Sequence, residues 1–558
     1  MKINRKMKNG NEFLKLSIKT FVLSSAFLIF TNTFNSLALA NTTKPQDITL
    51  IRENISWIRR DMWQQDLEQF RDAVLNNHPR FWDDTEIFIP GELLGEENFQ
   101  RIRWNELETN IQKREDFVVA IDDLIQKVSN LTDFEIFRQM HAIANIINDA
   151  HFDIRLPFSD EFFHLEIPLP IAFRHFGGED VNFYLLSTVL EFGDALNHRL
   201  IYVNGVPIED IINIYSTLSF HENEFDLNYR LAERLSLPLW LEKLGLEGDV
   251  DFTFTLEHPT TQNRIEISLT LNDTLKTPGE NFLNHLLNLP VQGREIGEIP
   301  RFFERGLNSF EILENEGILY INLRQMFVNQ LTNLELQYED LLIVLNEEEL
   351  GFSAEEILNK LTLDEVTSEE NDQIFSSFIP NFAIVNAIQD GTVNTVIIDA
   401  RGNGGGNIRA FANLFTFLSS NIEEDRLFYL IDNGSFSAAS IAAVSLQYLG
   451  FTLVGEPTGQ NLIFHSTLYS SEYQSEHELR NSGIFITVPN ILTHLEDLND
   501  GYIFNLLDIS IQSFIERFPN LDFYSVFPHV TIEHTIQHFI NNEDPLLEYV
   551  IESLNFHN

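Results

Sequence analysis

Cysteine is absent from all 558 residues. With it go a disulfide framework, a thiolate zinc site, a cysteine nucleophile and a lipid anchor on cysteine. Basic residues are scarce: 36 Lys and Arg stand against 84 Asp and Glu, a formal charge of −48. That surplus repels phosphate backbones and anionic lipid and argues against nucleic-acid binding. After residue 40 no run of about twenty apolar residues occurs, so nothing in the mature chain reads as a membrane span. The acidic runs lack calcium-loop spacing, and neither a metal nor a cofactor is expected. From residue 427 to the C-terminus there is no lysine, which limits the bases open to that region.

What is present is ample apolar material. Hydrophobic residues make up 44% of the chain, 48 of them Phe, enough for large cores in roughly two to four domains. The first forty residues stand apart. Residues 2–19 carry six Lys or Arg against one acid, Glu12, then residues 21–30 are almost wholly apolar, and Ala38-Leu39-Ala40 presents small residues where a signal peptidase reads. This pattern predicts a secretory signal over 1–40 and a secreted or extracytoplasmic mature chain, with the cell surface as one location. The competing reading is an uncleaved amphipathic anchor.

The mature chain divides by period. In 41–155 apolar residues recur at three and four, as in Leu67, Phe70, Val74 and in Phe117, Ile121, Leu124, which predicts a helical region. In 156–275 short alternating runs separated by turns such as Asn204-Gly205 predict a mostly β module with a helix near 208–218. Residues 276–310 read as a connector. Strands alternate with helices in 311–558, interrupted by an acidic insertion at 346–372 that reads as a solvated helical segment in preference to a cation site. The fold class is α/β, multi-domain.

Two strand–turn–helix units carry the chemistry. An apolar strand at 395–398 runs into Asp399, Arg401 and the glycine-rich turn Gly402, Gly404, Gly405, Gly406, followed by helical spacing at Ile408, Phe411, Phe415 and Leu418. Glycines open backbone conformations closed to other residues, and exposed N–H groups in such a turn can face a developing anion. A phosphate cradle is disfavoured because no Lys-Ser/Thr follows. Asp399 and Arg401 are expected to pair and fix the turn. The second unit joins a strand at 427–431 to a helix beginning near Ser437, whose hydroxyl would stand at a strand-to-helix corner beside free amides. The ordinary fate of Ser there is a helix N-cap.

The glycine turn at 399–406, the serine segment 435–440 and Leu453-Val-Gly-Glu-Pro-Thr-Gly459 follow in an order and spacing that resembles the S41 peptidases, the C-terminal-processing and tricorn-like serine proteases. Asn77-His78-Pro79, Asn148-Asp-Ala-His-Phe152, Val203-Asn-Gly-Val-Pro-Ile208 and Asn481-Ser482-Gly483 extend the likeness over most of the mature chain. The resemblance implies a crotonase-like ββα core, a PDZ-like module in 156–275 and peptide or protein substrates. It also implies Ser437 as nucleophile, with its own amide, those of Gly404, Gly405 and Gly406, and that of Ala438 around the oxyanion.

One departure stands out. The C-terminal-processing branch carries a base lysine some two dozen residues after the serine, and here Gly459-Gln460-Asn461 fills that place. The tricorn-like branch uses a histidine well before the nucleophile, and His151 matches it. With an imidazole base of ordinary pKa, activity is expected to rise through about 6.5–7.5. Glu456, Asn490 and Asp149 are candidates for an orienting residue; His465 and His494 are competing bases outside matched motifs; His78 is expected to close a helix and pack a loop. Three functions remain open at this level: a serine peptidase acting by Ser–His, a catalytically silent S41-like surface or binding protein, and an esterase on the same site.

Overall fold

The computed structural model describes residues 60–81, 96–157, 165, 168–176, 182–188, 190–246, 251–270, 308–326, 382–406, 408–460, 464–466, 476–489, 491–493, 525–541 and 543–556. The signal stretch 1–40, the acidic insertion 346–372 and most of the connector 276–310 lie outside the described residues. Among those described, no helix is long and apolar enough to cross a membrane.

Three helices come first: α1 (Arg60–Asn77), α2 (Glu96–Lys127) and α3 (Asp133–Ala144). Trp63, Leu67, Phe70 and Val74 fall on one face of α1 and are fully buried, as three-and-four spacing requires. A capping box between Thr132 and Glu135 starts α3, satisfying amides that the helix itself leaves unpaired. Strand β1 (Asp153–Arg155) follows.

An antiparallel sheet comes next, built from β2 (Ile171–Phe176), β3 (Asn182–Thr188), β4 (Arg199–Val203), β5 (Val206–Pro207), β6 (Asp251–Glu257) and β7 (Arg264–Thr270), in the order β2-β3-β4-β6-β7 with β5 on β4. Asn204 and Gly205 both take positive φ between β4 and β5, the backbone a two-residue hairpin needs. Helices α4 (Ile208–Ser216), α5 (Glu224–Arg234) and α6 (Pro238–Lys243) interrupt the sheet. The spacing predicts α4, but α5 and α6 lie in a stretch read as mostly β. They are 11 and 6 residues long; α5 is capped by the Asp226 N–H donating to Asn223 Oδ1 at 3.0 Å, and α6 begins at Pro238.

The last region holds β8 (Ser309–Leu313), β9 (Ile318–Asn322), α7 (Phe382–Gln389), β10 (Thr395–Asp399), α8 (Arg409–Asn421), β11 (Leu427–Ile431), α9 (Ala438–Tyr448), β12 (Thr452–Gly455), β13 (Phe464–Ser466), β14 (Glu476–Glu478), β15 (Phe485–Thr487), β16 (Ile491–Thr493), β17 (Val530–Thr531), α10 (Ile536–Asn541) and α11 (Pro545–Phe556). Six strands form a sheet ordered β17-β12-β11-β10-β9-β8, parallel except at the β8 edge. All residues of β9, β10 and β11 are buried, as a parallel sheet covered on both faces demands. Val396, Ile398 and Tyr429 pack with Phe411, Phe415, Ala442 and Leu446 on one face. Ile397, Phe428 and Leu430 meet Leu547 and Val550 of α11 on the other. The C-terminal ends of β10, β11 and β12 therefore open on one edge, where α/β sheets place their ligands.

The helical region and the last region are knitted together. β1 pairs antiparallel with β15, which also pairs with β14. The buried Asp66 of α1 accepts the Asn481 N–H at 3.0 Å and the Ser482 N–H at 2.7 Å. Asn481-Ser482-Gly483 is thus a turn clamped to α1.

Beneath the glycine turn lies a buried ionic knot. Arg401 reaches Asp399 with Nε at 2.9 Å and Nη2 at 2.7 Å, and Asp544 with Nη1 at 2.9 Å and Nη2 at 2.8 Å; the Tyr320 hydroxyl donates to Asp399 at 2.7 Å. Burial alone would raise the Asp399 pKa, but the Arg401 and Arg324 guanidiniums and the hydrogen bonds overcome it and hold the carboxyl well below the usual range. Asp399 therefore stabilises the fold above the unfolded carboxylate pKa of about 3.9, and the contribution is lost as pH falls through the folded value. Replacing Arg401 with Met removes the chief cationic partner of two buried carboxylates and leaves Asp399 with Tyr320 and the more distant Arg324. The expected cost is about 3–5 kcal/mol in unfolding free energy, read from the urea midpoint; a midpoint within error of wild type would refute this role.

Candidate active site

Ser437 sits where β11 hands over to α9, and its backbone takes φ 55° and ψ −124°. That region favours glycine, and holding another residue there costs of order 1–3 kcal/mol. The hydroxyl makes no capping hydrogen bond, so Ser437 has not taken the ordinary fate of serine at a helix start. Its Oγ lies 3.3 Å from His151 Nε2, across 286 residues of sequence.

The two turns at the sheet edge lock each other. Asp432 Oδ1 accepts from Gly402 N–H at 2.7 Å and Gly434 N–H at 3.0 Å, and the Phe436 N–H donates to Asn403 O at 2.9 Å. Gly405, at φ +98°, lies so close that a Cβ on it would stand 2.6 Å from Ser437 Cβ and 2.8 Å from Phe436 O. Among the expected oxyanion donors, Gly405 needs correction: its N–H is engaged by Asn403 Oδ1 at 2.8 Å, because that bond shapes the turn. The Ser437 N–H is also engaged, by Gln460 Oε1. Gly404 and Gly406 are exposed, and Ala438, the first residue of α9, has no carbonyl within its helix to receive its N–H.

His151 arrives on a loop built from buried polar contacts. Asn148 takes φ 57°. Arg80 donates to the carbonyls of Ile147 and Asn148. Asp149, fully buried, accepts the His151 N–H on Oδ1 at 2.9 Å and faces His78 Nε2 with Oδ2 at 3.1 Å. The Arg80 N–H donates to His78 Nδ1 at 3.2 Å, which leaves the His78 proton on Nε2 for Asp149. The Ala150 N–H donates to Glu222 at 3.3 Å. The Asn-His-Pro and Asn-Asp-Ala-His segments thus form one unit, and His78, read from sequence as loop packing, anchors the carboxylate behind His151.

Of the three orienting candidates, Asp149 stands beside His151, with Oδ1 4.0 Å from Nδ1, beyond hydrogen-bond range. Glu456 is engaged by the His534 N–H at 3.2 Å; burial, then Asp432, pushes its pKa up to about 7. Asn490 and His494 lie outside the described residues, and His465 is described only as part of β13. Gln460 escaped sequence reasoning except as the occupant of a missing lysine's place. Its Nε2 lies 3.4 Å from His151 Nδ1.

Desolvation sets the charge state. The His151 side chain keeps 16% of its surface exposed and packs 5.1 Å from the Phe436 ring, over which Arg230 sits at 4.7 Å. Burial lowers the His151 pKa to about 4, with Asp149 opposing and Arg230 assisting. The imidazole is neutral at all physiological pH, which corrects the expected window of 6.5–7.5. Glu222 is pushed up to about 8 by burial and by Asp149. Asp149, His151 and Glu222 offer atoms within 4.8 Å of one another, close enough to share a cation. Each already has a partner in His78, Ser437 or Ala150, and no metal is assigned. One His-x-x-x-His pair does occur, His534 and His538, with ring centroids 5.9 Å apart. His538 Nδ1 accepts from Thr535, so this pair is not assigned a metal either.

The serine elbow depends on Gly405. Gly405→Ala is expected to slow fluorophosphonate labelling of Ser437 by about 10², since displacements near 1 Å can cost that much. Labelling at the wild-type rate would mean that the close packing is dispensable.

No family model matches the sequence, and no curated protein matches it. Among solved structures, the chain is similar to a photosystem II D1 C-terminal processing protease at 12% identity and a TM-score of 0.31, covering 86% of this chain and 94% of that one. It is similar to a candidate peptidase from Parabacteroides merdae at 10% identity and a TM-score of 0.30, covering 88% and 96%. A candidate S41 protease from Bacteroides fragilis is similar at 11% identity and a TM-score of 0.29, covering 74% and 88%. In its motifs the chain resembles S41 peptidases, and these three structures are themselves described as peptidases or proteases.

Proposed function

We propose that this chain is an exported serine peptidase that cleaves peptide bonds by a Ser–His mechanism on an S41-like arrangement of helical region, PDZ-like module and crotonase-like core. The observation that carries the reading is the 3.3 Å approach of His151 Nε2 to Ser437 Oγ at a positive-φ corner. Ser437 attacks the scissile carbonyl carbon, His151 takes the hydroxyl proton and returns it to the leaving amine, and backbone amides hold the oxyanion. Ala438 at the helix start and the exposed Gly404 and Gly406 are the donors proposed for it. Preorganised donors of this kind are worth about 10²–10³ each in turnover. His78 and Asp149 hold the loop that carries the base, and no cofactor enters the scheme.

A second reading, a silent binding protein on the same fold, draws support from the engaged Ser437 amide. A fluorophosphonate probe separates the two: the peptidase reading expects labelling at Ser437, lost in Ser437→Ala. His151→Ala is expected to abolish turnover of a peptide substrate, and the double variant to be little worse than either, because the residues act as one unit. On the acid side the rate should fall as pH drops towards about 4, where the imidazole charges. A wild-type chain that neither labels nor cleaves peptides would sink the reading.

Export rests on the N-terminal charge and apolar pattern alone. The mature chain is expected to begin at Asn41 on N-terminal sequencing of secreted material; an intact Met1 in the cytoplasm would contradict this.

A further inference from the structure

Ser437, Gln460 and His151 form a chain of hydrogen bonds whose polarity is fixed at one end. A backbone N–H can only donate, and that of Ser437 donates to Gln460 Oε1. The other end of the same carboxamide, Nε2, therefore faces His151 Nδ1 at 3.4 Å. An amide NH2 accepts nothing, so Nδ1 must present its lone pair and the ring proton sits on Nε2, 3.3 Å from Ser437 Oγ. In that tautomer His151 donates to the serine hydroxyl and cannot take its proton.

Gln460 has little freedom to leave. It is fully buried, and its own loop is tied on several sides: Thr458 N–H to Val526 O, Gly459 N–H to Ser435 O, and Thr458 Oγ1 to the Gln460 carbonyl at 3.3 Å. A Cβ on Gly459 would meet Asn433 O at 2.4 Å, so this backbone lies hard against the serine turn. What Gln460 can do in place is turn its carboxamide by half a revolution, exchanging Oε1 and Nε2.

We propose that Gln460 is a positioning residue that couples occupation of the oxyanion site to the tautomer of His151, an inference that rests on the Ser–His reading above. In the free chain Gln460 holds His151 with its proton on Nε2, the unproductive form. A substrate carbonyl oxygen that takes the Ser437 N–H leaves Oε1 without its donor. The half-turn then presents Oε1 to Nδ1 and the NH2 group to the carbonyl oxygen. Nε2 releases its proton to water and Nδ1 gains one from water, so the charge is unchanged; the exposed part of the ring gives water its access. His151 now donates from Nδ1 to Gln460 and offers the Nε2 lone pair to Ser437. Asp149, 4.0 Å from Nδ1, is too distant to hold that proton itself.

The test reads the tautomer directly in the mature full-length chain, labelled with 15N-histidine, with the His151 signals identified by their loss in His151→Ala. Free wild type is expected to carry the proton on Nε2. Gln460→Glu places two acceptors where there was one acceptor and one donor, and is expected to move the proton to Nδ1 without any ligand. Gln460→Leu should leave a mixture and slow fluorophosphonate labelling about tenfold or more, with Gln460→Glu recovering part of that loss. A free wild-type chain already protonated on Nδ1, or a tautomer unmoved in Gln460→Glu, overturns the inference. Absence of Ser437 labelling in wild type would instead defeat the peptidase reading, while the tautomer comparison still decides the role of Gln460.

Discussion

One buried carboxylate, Asp149, joins everything that brings the candidate base to the candidate nucleophile. One oxygen receives His78 and the other receives the His151 backbone, so the end of α1 and the histidine loop become a single rigid piece. A carboxylate without exposure is tolerable only when its acceptor positions are filled. Arg80, from the turn that follows His78, and Glu222, from a further segment, complete the cradle. The loop's shape is therefore set by the need to satisfy charge away from water, and His151 points where that shape sends it.

The opposite partner is held by backbone geometry more than by charge. Ser437 occupies a conformation that favours glycine, and Gly405 lies against it at a distance no side chain could share. Asp432 stitches the two turns through their amides, while the Arg401 knot beneath fixes where the glycine turn leaves β10. Strain at the elbow is thus supported by a sheet buried on both faces. Docking of the helical region through Asp66 and the β1–β15 pair closes the remaining gap between the two halves of the site.

Local burial outweighs global charge at this edge. A chain of net charge −48 would raise a histidine pKa if its field reached the ring, yet desolvation and Arg230 carry His151 the other way, to about 4. Long-range charge is screened within about 8–10 Å in salt, whereas the loss of water around a ring acts at contact. The base is available over a wide pH range but is weaker than an ordinary imidazole.

By itself the sequence determined the alternation of strands and helices in 311–558, the helical start, the glycine and serine turns, and the pair Ser437 and His151 as the residues to watch. The elements and turns follow from periodicity and turn chemistry, which are local properties of the chain, whereas the pairing of Ser437 with His151 comes from the resemblance of the ordered motifs to S41 peptidases. It left α5 and α6 unread, because helices of 11 and 6 residues are too short to stand out within a stretch dominated by alternating runs. It left the orienting residue open among Asp149, Glu456 and Asn490, and it gave Gln460 no role. Only the tertiary structure decided that Asp149 backs the loop, that the Gly405 amide is already engaged, and that Gln460 lies between the serine amide and the imidazole. Hydrogen-bond partners and desolvation belong to groups brought together from distant segments, and no spacing along the chain records which donor a buried acceptor will meet.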